Sequence, residues 1–502
     1  MVLNLIFLVI VAFLTVGFFW VRKQYRFCEE NGIPYVKPTF PLGNLWGAGY
    51  KIHICELLQE IYTKTKGKHV IAGLYMFVYP IYLTLDLDFI KHVFVKDFHH
   101  FHDRGVYVNE KDDPLSGHLF SLAGQRWKNM RSKLSPTFTS GKMKMMHSTF
   151  VAVAKELQKH LDPIAERKQE IEIKDTLAKY TTDVIGNTAF GVECNSFTQP
   201  NSQFRTIGKK VFDLGKFEFL KQIMAGAFPN ISRALKVKVT KPEVEEFFMR
   251  LLRETTRYRE KHNVQRNDFL SLLMQIMKTG KLEGDNTELG KITFEELAAQ
   301  TFLFFIAGFE TSSSTMTFAL YELAQHQDLQ DKARNEVLRI LAKYNGEYTY
   351  EACMEMKYMD QVINETLRKY PVAETLVRST TSDYKLPNHD FVIKKGSGVL
   401  ISVYSIHHDP EIYPDPERFD PERFTEEEIA KRHPMAWLPF GEGPRMCVGM
   451  RFGMMQTRVG LANFLEKYRI RTTPKTPIPI VIAPNSNVLA AKGGMWLQIE
   501  KI

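Results

Sequence analysis

Residues 291–325 constrain the fold more than any other part of the chain. The run Leu297-Ala298-Ala299-Gln300-Thr301-Phe302-Leu303-Phe304-Phe305-Ile306-Ala307-Gly308-Phe309 is apolar on nearly every face of a helix. A helix apolar all round belongs in the middle of a large protein. Thr293, with Glu296 three residues later, is a capping-box signature and marks its start. The same helix then carries Glu310-Thr311-Ser312-Ser313-Ser314 in its interior. A carboxylate and poor helix formers in a core helix set local preference against burial, and such conflicts gather at functional sites. Thr311 can bond back to the Ala307 carbonyl, and Gly308 admits another group close to the backbone. The segment reads either as a kink with a solvated Glu310 or as a polar notch beside a bound cofactor.

The rest of the chain supplies a body large enough to bury such a helix. Helical patterns dominate residues 55–341, and short strand-like runs occur near 70–83, 392–403 and 478–497. The expected fold is mainly α with a minor β portion. A length of 502 residues alone suggests roughly three domains, but no linker is evident after Asn44, so residues 45–502 read as one large domain. Hydrophobic residues at 44% with charged residues at 25% exclude wholesale disorder. The net charge of +9 is too mild for a nucleic-acid binder. It suits an anionic membrane surface or an acidic protein partner. The cysteines, Cys28, Cys55, Cys194, Cys353 and Cys447, are odd in number and scattered, without a CxxC. A disulfide framework and a structural zinc site are not expected, and the body should face a reducing compartment.

Residues 2–21 are apolar apart from Asn4 and Thr15. At about 1.5 Å per residue they reach roughly 30 Å, one hydrocarbon core. Arg22, Lys23 and Arg26 follow directly. A cleaved signal peptide fits poorly, because the run is long, no basic residue precedes it and no small-x-small site follows. Residues 1–21 are therefore expected to be a transmembrane anchor whose basic flank stays on the cytosolic side. Residues 22–44, with Pro34, Pro38 and Pro41, read as a basic, proline-rich linker.

Two further segments carry chemistry. Glu365 and Arg368 share one helix face ahead of Pro371, a pair that taken alone is unremarkable. The run Trp437-Leu438-Pro439-Phe440-Gly441-Glu442-Gly443-Pro444-Arg445-Met446-Cys447-Val448-Gly449 is a glycine-rich loop that delivers Cys447 to the start of an apolar helix. Backbone N–H groups and the positive helix end there favour a thiolate, as does the neighbouring Arg445.

These motifs carry a resemblance. Phe440-x-x-Gly443-x-Arg445-x-Cys447-x-Gly449 matches the haem-thiolate signature of the cytochromes P450 at every position. Ala307-Gly308-Phe309-Glu310-Thr311 resembles that family's oxygen-activation motif. Glu365-x-x-Arg368 matches its ion pair, Pro421-Glu422-Arg423-Phe424 the element that completes the pair, and Trp127-x-x-x-Arg131 its haem-contacting helix. The order and spacing are the family's, and the resemblance covers essentially the whole chain. Anchor and proline-rich hinge resemble microsomal members. Residues 134–144 resemble insect enzymes of the sixth family, associated with detoxification.

The resemblance implies a cytochrome P450 fold holding haem b, with Cys447 as the axial iron ligand. It places Phe440, Gly443 and Gly449 around the sulfur. Arg445, Arg131, Trp127 and Arg378 fall at the haem propionates, with Ala307 and Gly308 on the distal side. Glu310 and Thr311 would manage protons there, while Glu365, Arg368 and Arg423 would form a buried structural network. The substrate pocket would lie near Phe120, Phe304, Ala307, Thr375 and Val488. The implied reaction is monooxygenation of apolar small molecules, such as xenobiotics, plant toxins and insecticides, with O2 as co-substrate. Electrons would come from NADPH through a separate cytochrome P450 reductase, since no GxGxxG occurs here, and a small b-type cytochrome is a second donor to consider. The implied setting is the endoplasmic reticulum membrane, single-pass, with the catalytic domain cytosolic and no nucleic-acid partner. An endogenous hormone or lipid as substrate is the alternative reading, and a haem protein without O2 chemistry a second. Arg126, Lys128, Lys133, Lys142, Lys144, Arg451 and Arg458 are candidates for a reductase-docking face. Residues 209–231 mix basic and apolar side chains and resemble the family's membrane-dipping access region. Glu374 departs from the family pattern, which has proline there, and is expected to tilt out to solvent rather than face a basic substrate.

Overall fold

The computed structural model describes residues 2–212, 215–283 and 288–502. It is 56% helical and 10% strand, a mainly α body with a minor β portion. The helix at its centre spans Phe294–Gln325. Thr293 and Glu296 close the capping box in both directions, at 2.9 and 3.1 Å. Leu297, Phe305, Met316 and Leu323 are spaced along this helix and all are buried, each contributing about 1.5–3 kcal/mol. It packs against the helices Ile173–Ile185, Lys357–Lys369 and Met450–Lys467. The hydroxyl-rich stretch stays helical because its side chains bond back into the helix: Thr315 to the Thr311 carbonyl at 2.9 Å and Thr317 to the Ser313 carbonyl at 2.7 Å. Buried hydroxyls are thereby satisfied without breaking the backbone ladder.

The strands are β1 Ile71–Met76, β2 Tyr79–Thr84, β3 Glu170–Glu172, β4 Thr375–Ser379, β5 Tyr384–Lys385, β6 Val392–Ile393, β7 Gly398–Ser402, β8 Tyr468–Thr472 and β9 Trp496–Lys501. A four-stranded sheet runs β1-β2-β7-β4, with β2 and β7 parallel and the other neighbours antiparallel. A second sheet runs β3-β9-β8, and β5 pairs with β6. The strand-like run at 478–497 is mostly irregular. It holds one isolated bridge, Ile482 to Ala491, before β9 begins.

The first helix, Val2–Tyr25, includes the basic flank, so the apolar run and Arg22 and Lys23 form one continuous element. It is the one helix among the described residues long and apolar enough to cross a membrane. Residues 22–44 are docked on the body rather than extended from it. Asn44 exchanges hydrogen bonds with Tyr75 at 2.7 and 2.8 Å, Tyr25 Oη donates to the Phe77 carbonyl, and Cys28 and Ile33 are buried. The prolines thus shape a strap along the sheet edge.

Beside the end of the first helix, apolar side chains gather at the surface. Phe40, Trp46, Tyr79, Phe217, Leu220, Met224, Ile231 and Leu235 are exposed, and Phe228 meets both Phe77 and Tyr79. Leu214 lies outside the described residues. Phe212 turns inward onto Phe309 of the central helix.

Candidate active site

The glycine-rich loop is folded by its own backbone. A 3-10 turn covers Gly443–Arg445, the Met446 N–H donates to the Gly443 carbonyl at 3.0 Å, and the Cys447 N–H donates to the Phe440 carbonyl at 2.9 Å. Gly443 has φ +74°, and a Cβ there would lie 2.0 Å from the Phe94 carbonyl oxygen. Only glycine fits. Arg131, from the helix Gly124–Leu134, donates to the Met446 carbonyl at 2.9 Å and so ties that helix to the loop. Phe440 packs edge-on against Trp437.

Cys447 is exposed, whereas Cys28, Cys55, Cys194 and Cys353 are buried. Yet protein surrounds the sulfur: burial pushes the thiol up, and the Gly449 N–H, Arg131 and Arg104 each pull it back. Both observations hold if Cys447 lines an interior space. Ala307, in the middle of the central helix, is exposed in the same way. The sequence assigned the thiolate-favouring charge to Arg445, but the charges that act are Arg131 and Arg104.

Three guanidinium groups converge on this space. Arg445 lies over the Trp127 ring at 4.1 Å and donates one N–H to the Leu122 carbonyl at 2.8 Å, but its Nε and Nη1 are buried without partners. Arg378, on β4, lies over Phe94 at 4.6 Å, and its Nε is also orphaned. Arg104 donates to the Phe120 and Arg445 carbonyls at 3.0 and 3.1 Å. Burial first, and then mutual repulsion, pushes Arg445 down to about 9 and Arg378 well below its usual value. Burial pushes Arg104 down to about 10. Unpaired buried N–H donors on like charges call for an anion with several acceptor oxygens.

The Cytochrome P450 family model matches residues 38–497. The chain is a cytochrome P450. The housefly protein "Cytochrome P450 6A1" is 44% identical over 97% of this chain and 96% of its own length. Two Drosophila melanogaster proteins, "Probable cytochrome P450 6a14" and "Probable cytochrome P450 6a23", are also 44% identical, over 96% and 100% of both chains respectively. As a cytochrome P450 it is a monooxygenase that uses haem b with a thiolate-bound iron, O2 as co-substrate and NADPH electrons delivered through a reductase.

The residues present fit that group. Cys447 is the thiol that reaches the interior space, and Arg445 and Arg378 hold the orphaned donors that haem propionates would accept from. Arg104 belongs with them. Sequence reading missed it because an isolated arginine in a loop before Gly105 carries no motif. Arg131 differs from expectation, since it spends a donor on the Met446 carbonyl beside the thiol. Trp127 supports Arg445 by stacking.

The distal and pocket residues separate. Thr311 Oγ donates to the Ala307 carbonyl at 2.5 Å. Glu310 is neither a solvated kink residue nor free. Lys174 bonds its carboxylate at 2.6 Å and Ser314 at 2.5 Å. A Cβ at Gly308 would lie 2.4 Å from Ile185 Cδ1, so this glycine lets two helices approach rather than opening space for a cofactor. Phe304 is corrected from pocket to core: it stacks on Phe269 at 4.5 Å and meets Phe138 and Phe452 edge-on. Phe120 is exposed under the Arg104 guanidinium. The Thr375 hydroxyl is buried without a partner, and Val488 packs half-buried against the main core. Glu374 is also corrected. It is buried, not tilted to solvent, and desolvation pushes its carboxyl up to about 7.

Behind the loop, Arg368 grips Glu365 with two bonds of 2.7 and 2.9 Å, both side chains fully buried. The Asp420 N–H donates to Glu365 at 2.9 Å. Arg423 stands 3.6 Å from Glu365 and donates to the Pro414 and Asp415 carbonyls. His407 joins this network to the loop. Its backbone carbonyl accepts from Arg368 at 3.0 Å, its Nδ1 is 3.1 Å from the Arg368 carbonyl, and its Nε2 is 3.0 Å from the Leu438 nitrogen. These partners assign the proton to Nδ1, and burial keeps the ring neutral. A histidine in the pair His407-His408 carries no sequence signal of this role.

Proposed function

We propose that this cytochrome P450 oxidises apolar foreign small molecules from the cytosolic face of the endoplasmic reticulum. The observation that carries the catalytic part is the meeting of an exposed Cys447 with orphaned Arg445 and Arg378 donors inside an otherwise apolar core. The likeness to insect sixth-family members supports the detoxification role. The anchor helix and the apolar surface around Phe217, Ile231 and Trp46 support substrate entry from lipid. Resistance of the full chain to alkaline extraction from microsomes, with the body open to added protease, tests the setting.

Cys447 would hold the haem, which when bound would supply the activation of O2: with two electrons from NADPH and two protons, one oxygen atom would enter the substrate and the other would leave as water. The chain's own residues position and protonate. Arg445, Arg378 and Arg104 hold the propionate edge. Thr311 donates its hydroxyl proton to the Ala307 carbonyl, which leaves its oxygen lone pairs to accept from a proton-bearing group on the distal side. Glu310 and Lys174, half-buried beside the buried Ser314, lead from the surface toward Thr311 and can pass protons inward. Thr311→Ala should therefore keep NADPH consumption within about twofold while product formation falls by about tenfold and hydrogen peroxide rises correspondingly. Unchanged product per NADPH would remove Thr311 from proton handling.

The docking face is narrower than the sequence suggested. Arg126 is paired with Glu110, Lys144 with Glu351, and Arg458 is buried against Asp360. Lys133 bonds the Lys291 carbonyl, which leaves its charge unneutralised. Lys128, Lys133, Lys142 and Arg451 remain to attract an acidic reductase. Lys128→Glu with Lys133→Glu should cut reductase-driven turnover about tenfold at low salt and spare peroxide-driven turnover. Equal loss of both would rule the face out.

A further inference from the structure

Asp103 stands where the elements around the interior space meet, and none of the chemistry above uses it. Its backbone carbonyl accepts from the Ser379 N–H at 2.8 Å, an antiparallel bridge that fixes the end of β4 beside Arg378. Its Oδ1 accepts from the Gly124 N–H at 2.7 Å. Gly124 opens the helix that carries Trp127 and Arg131, and the N-cap residue there, Ala123, supplies no side-chain acceptor. A carboxylate at a helix start is favourable. The same oxygen lies 2.7 Å from His102 Nδ1 and 3.5 Å from Arg445 Nη2.

Charge gives this residue a further task. Arg104, Arg378 and Arg445 bring three positive charges to one edge. Haem b carries two propionates, which leaves one guanidinium without an anion. An unpaired charge held away from water is costly. Among the described residues Asp103 is the one carboxylate that acts on any of the three: burial and then Arg104 push Arg445 down, and Asp103 pulls it back. It meets Arg445 at Nη2, which the Leu122 carbonyl also holds, so the orphaned Nε and Nη1 stay free for a propionate. The Arg445 side chain is fully buried, and that of Asp103 is 22% exposed.

We propose that Asp103 is the third anion of the propionate edge, a positioning residue that neutralises the charge two propionates leave over and fixes Arg445 through Nη2. The inference rests on the reading of Arg104, Arg378 and Arg445 as propionate partners. The test is the ferric–ferrous potential of full-length, haem-loaded protein without substrate, measured by dye-coupled titration. Asp103→Asn keeps an acceptor for Gly124 and the bridge to Ser379 but removes the charge, so one guanidinium is unmasked and uptake of an electron becomes easier. The equilibrium should move about fivefold toward ferrous, or about 41 mV at 59 mV per tenfold for one electron. Asp103→Glu, which keeps the charge, should stay within about twofold of the wild type. Arg104→Gln, which removes a cation, should move the equilibrium toward ferric. An Asp103→Asn potential equal to that of the wild type, or equal shifts in the Asn and Glu variants, overturns the third anion, while the Arg104→Gln shift keeps the propionate reading in place. No shift in either Asp103→Asn or Arg104→Gln overturns both. If Asp103→Asn loads no haem, wild-type loading of Asp103→Glu upholds the role of the charge, and failure of both variants to load overturns it.

Discussion

Cys447→His should abolish the thiolate-type Soret band of the reduced, carbon monoxide-treated protein and bring NADPH-driven oxygenation to background. The loop explains why no other residue can replace the sulfur. The Cys447 N–H is fixed to the Phe440 carbonyl, Gly443 is locked by its φ and by Phe94, and Arg131 holds the Met446 carbonyl. The Sγ position is thus set by backbone. The Gly449 N–H, Arg131 and Arg104 favour the ionised sulfur against its desolvation. A neutral imidazole gains nothing from those two positive charges and donates less electron density to iron, so O–O cleavage loses its push. Cys28, Cys55, Cys194 and Cys353 are buried elsewhere and cannot substitute. A histidine variant that retained the thiolate band would disprove the ligand assignment.

Breaking the buried ion pair should have the second large effect. Glu365→Gln or Arg368→Leu leaves one charged or polar partner buried without its mate, at a cost of about 3–5 kcal/mol. Burial pushes the Glu365 carboxyl up against the pull of Arg368, so removing Arg368 leaves that desolvation unopposed by its closest cation. The damage should reach the active site, because the Arg368 carbonyl and His407 connect the pair to Leu438, and the Leu438 carbonyl accepts from the Gly441 N–H in the cysteine loop. Little haem-loaded protein should be recovered from either single variant. The double variant Glu365→Met with Arg368→Met should recover only part of the loss, since the Asp420 N–H and the His407 carbonyl would still lack partners. Denaturant unfolding of recovered holoprotein measures the cost. A single variant destabilised by less than about 1 kcal/mol would reduce the pair to an ordinary surface-like bridge.

Much of the site was legible in linear order because its parts are local. The cysteine loop is made by residues 440–449 bonding among themselves, Glu365 and Arg368 sit one helical turn apart, and Thr311 bonds four residues back to Ala307. Spacing alone specifies such geometry. The capping box at Thr293 was legible for the same reason. What failed was direction. Phe304 lies one turn before Ala307, yet its ring falls among Phe138, Phe269 and Phe452, which come from three other segments. Gly308 was read as open when Ile185 fills the approach. Glu310 was left without a partner until Lys174 came from the neighbouring helix. Glu374 was sent to solvent because sequence cannot show that β7, Tyr404 and Cys55 close over it.

The sequence by itself determined a cytochrome P450 body behind a long apolar helix, the one cysteine worth ionising and the identity of the structural ion pair. These rest on hydrophobic period, glycine-permitted backbone and short-range spacing. Only the tertiary structure decided which charges meet: Arg104 with Arg378 and Arg445, Lys174 with Glu310, and His407 between the ion pair and the loop. Electrostatic partners are fixed by distance in space and by exclusion of water. Both arise only when segments hundreds of residues apart pack together.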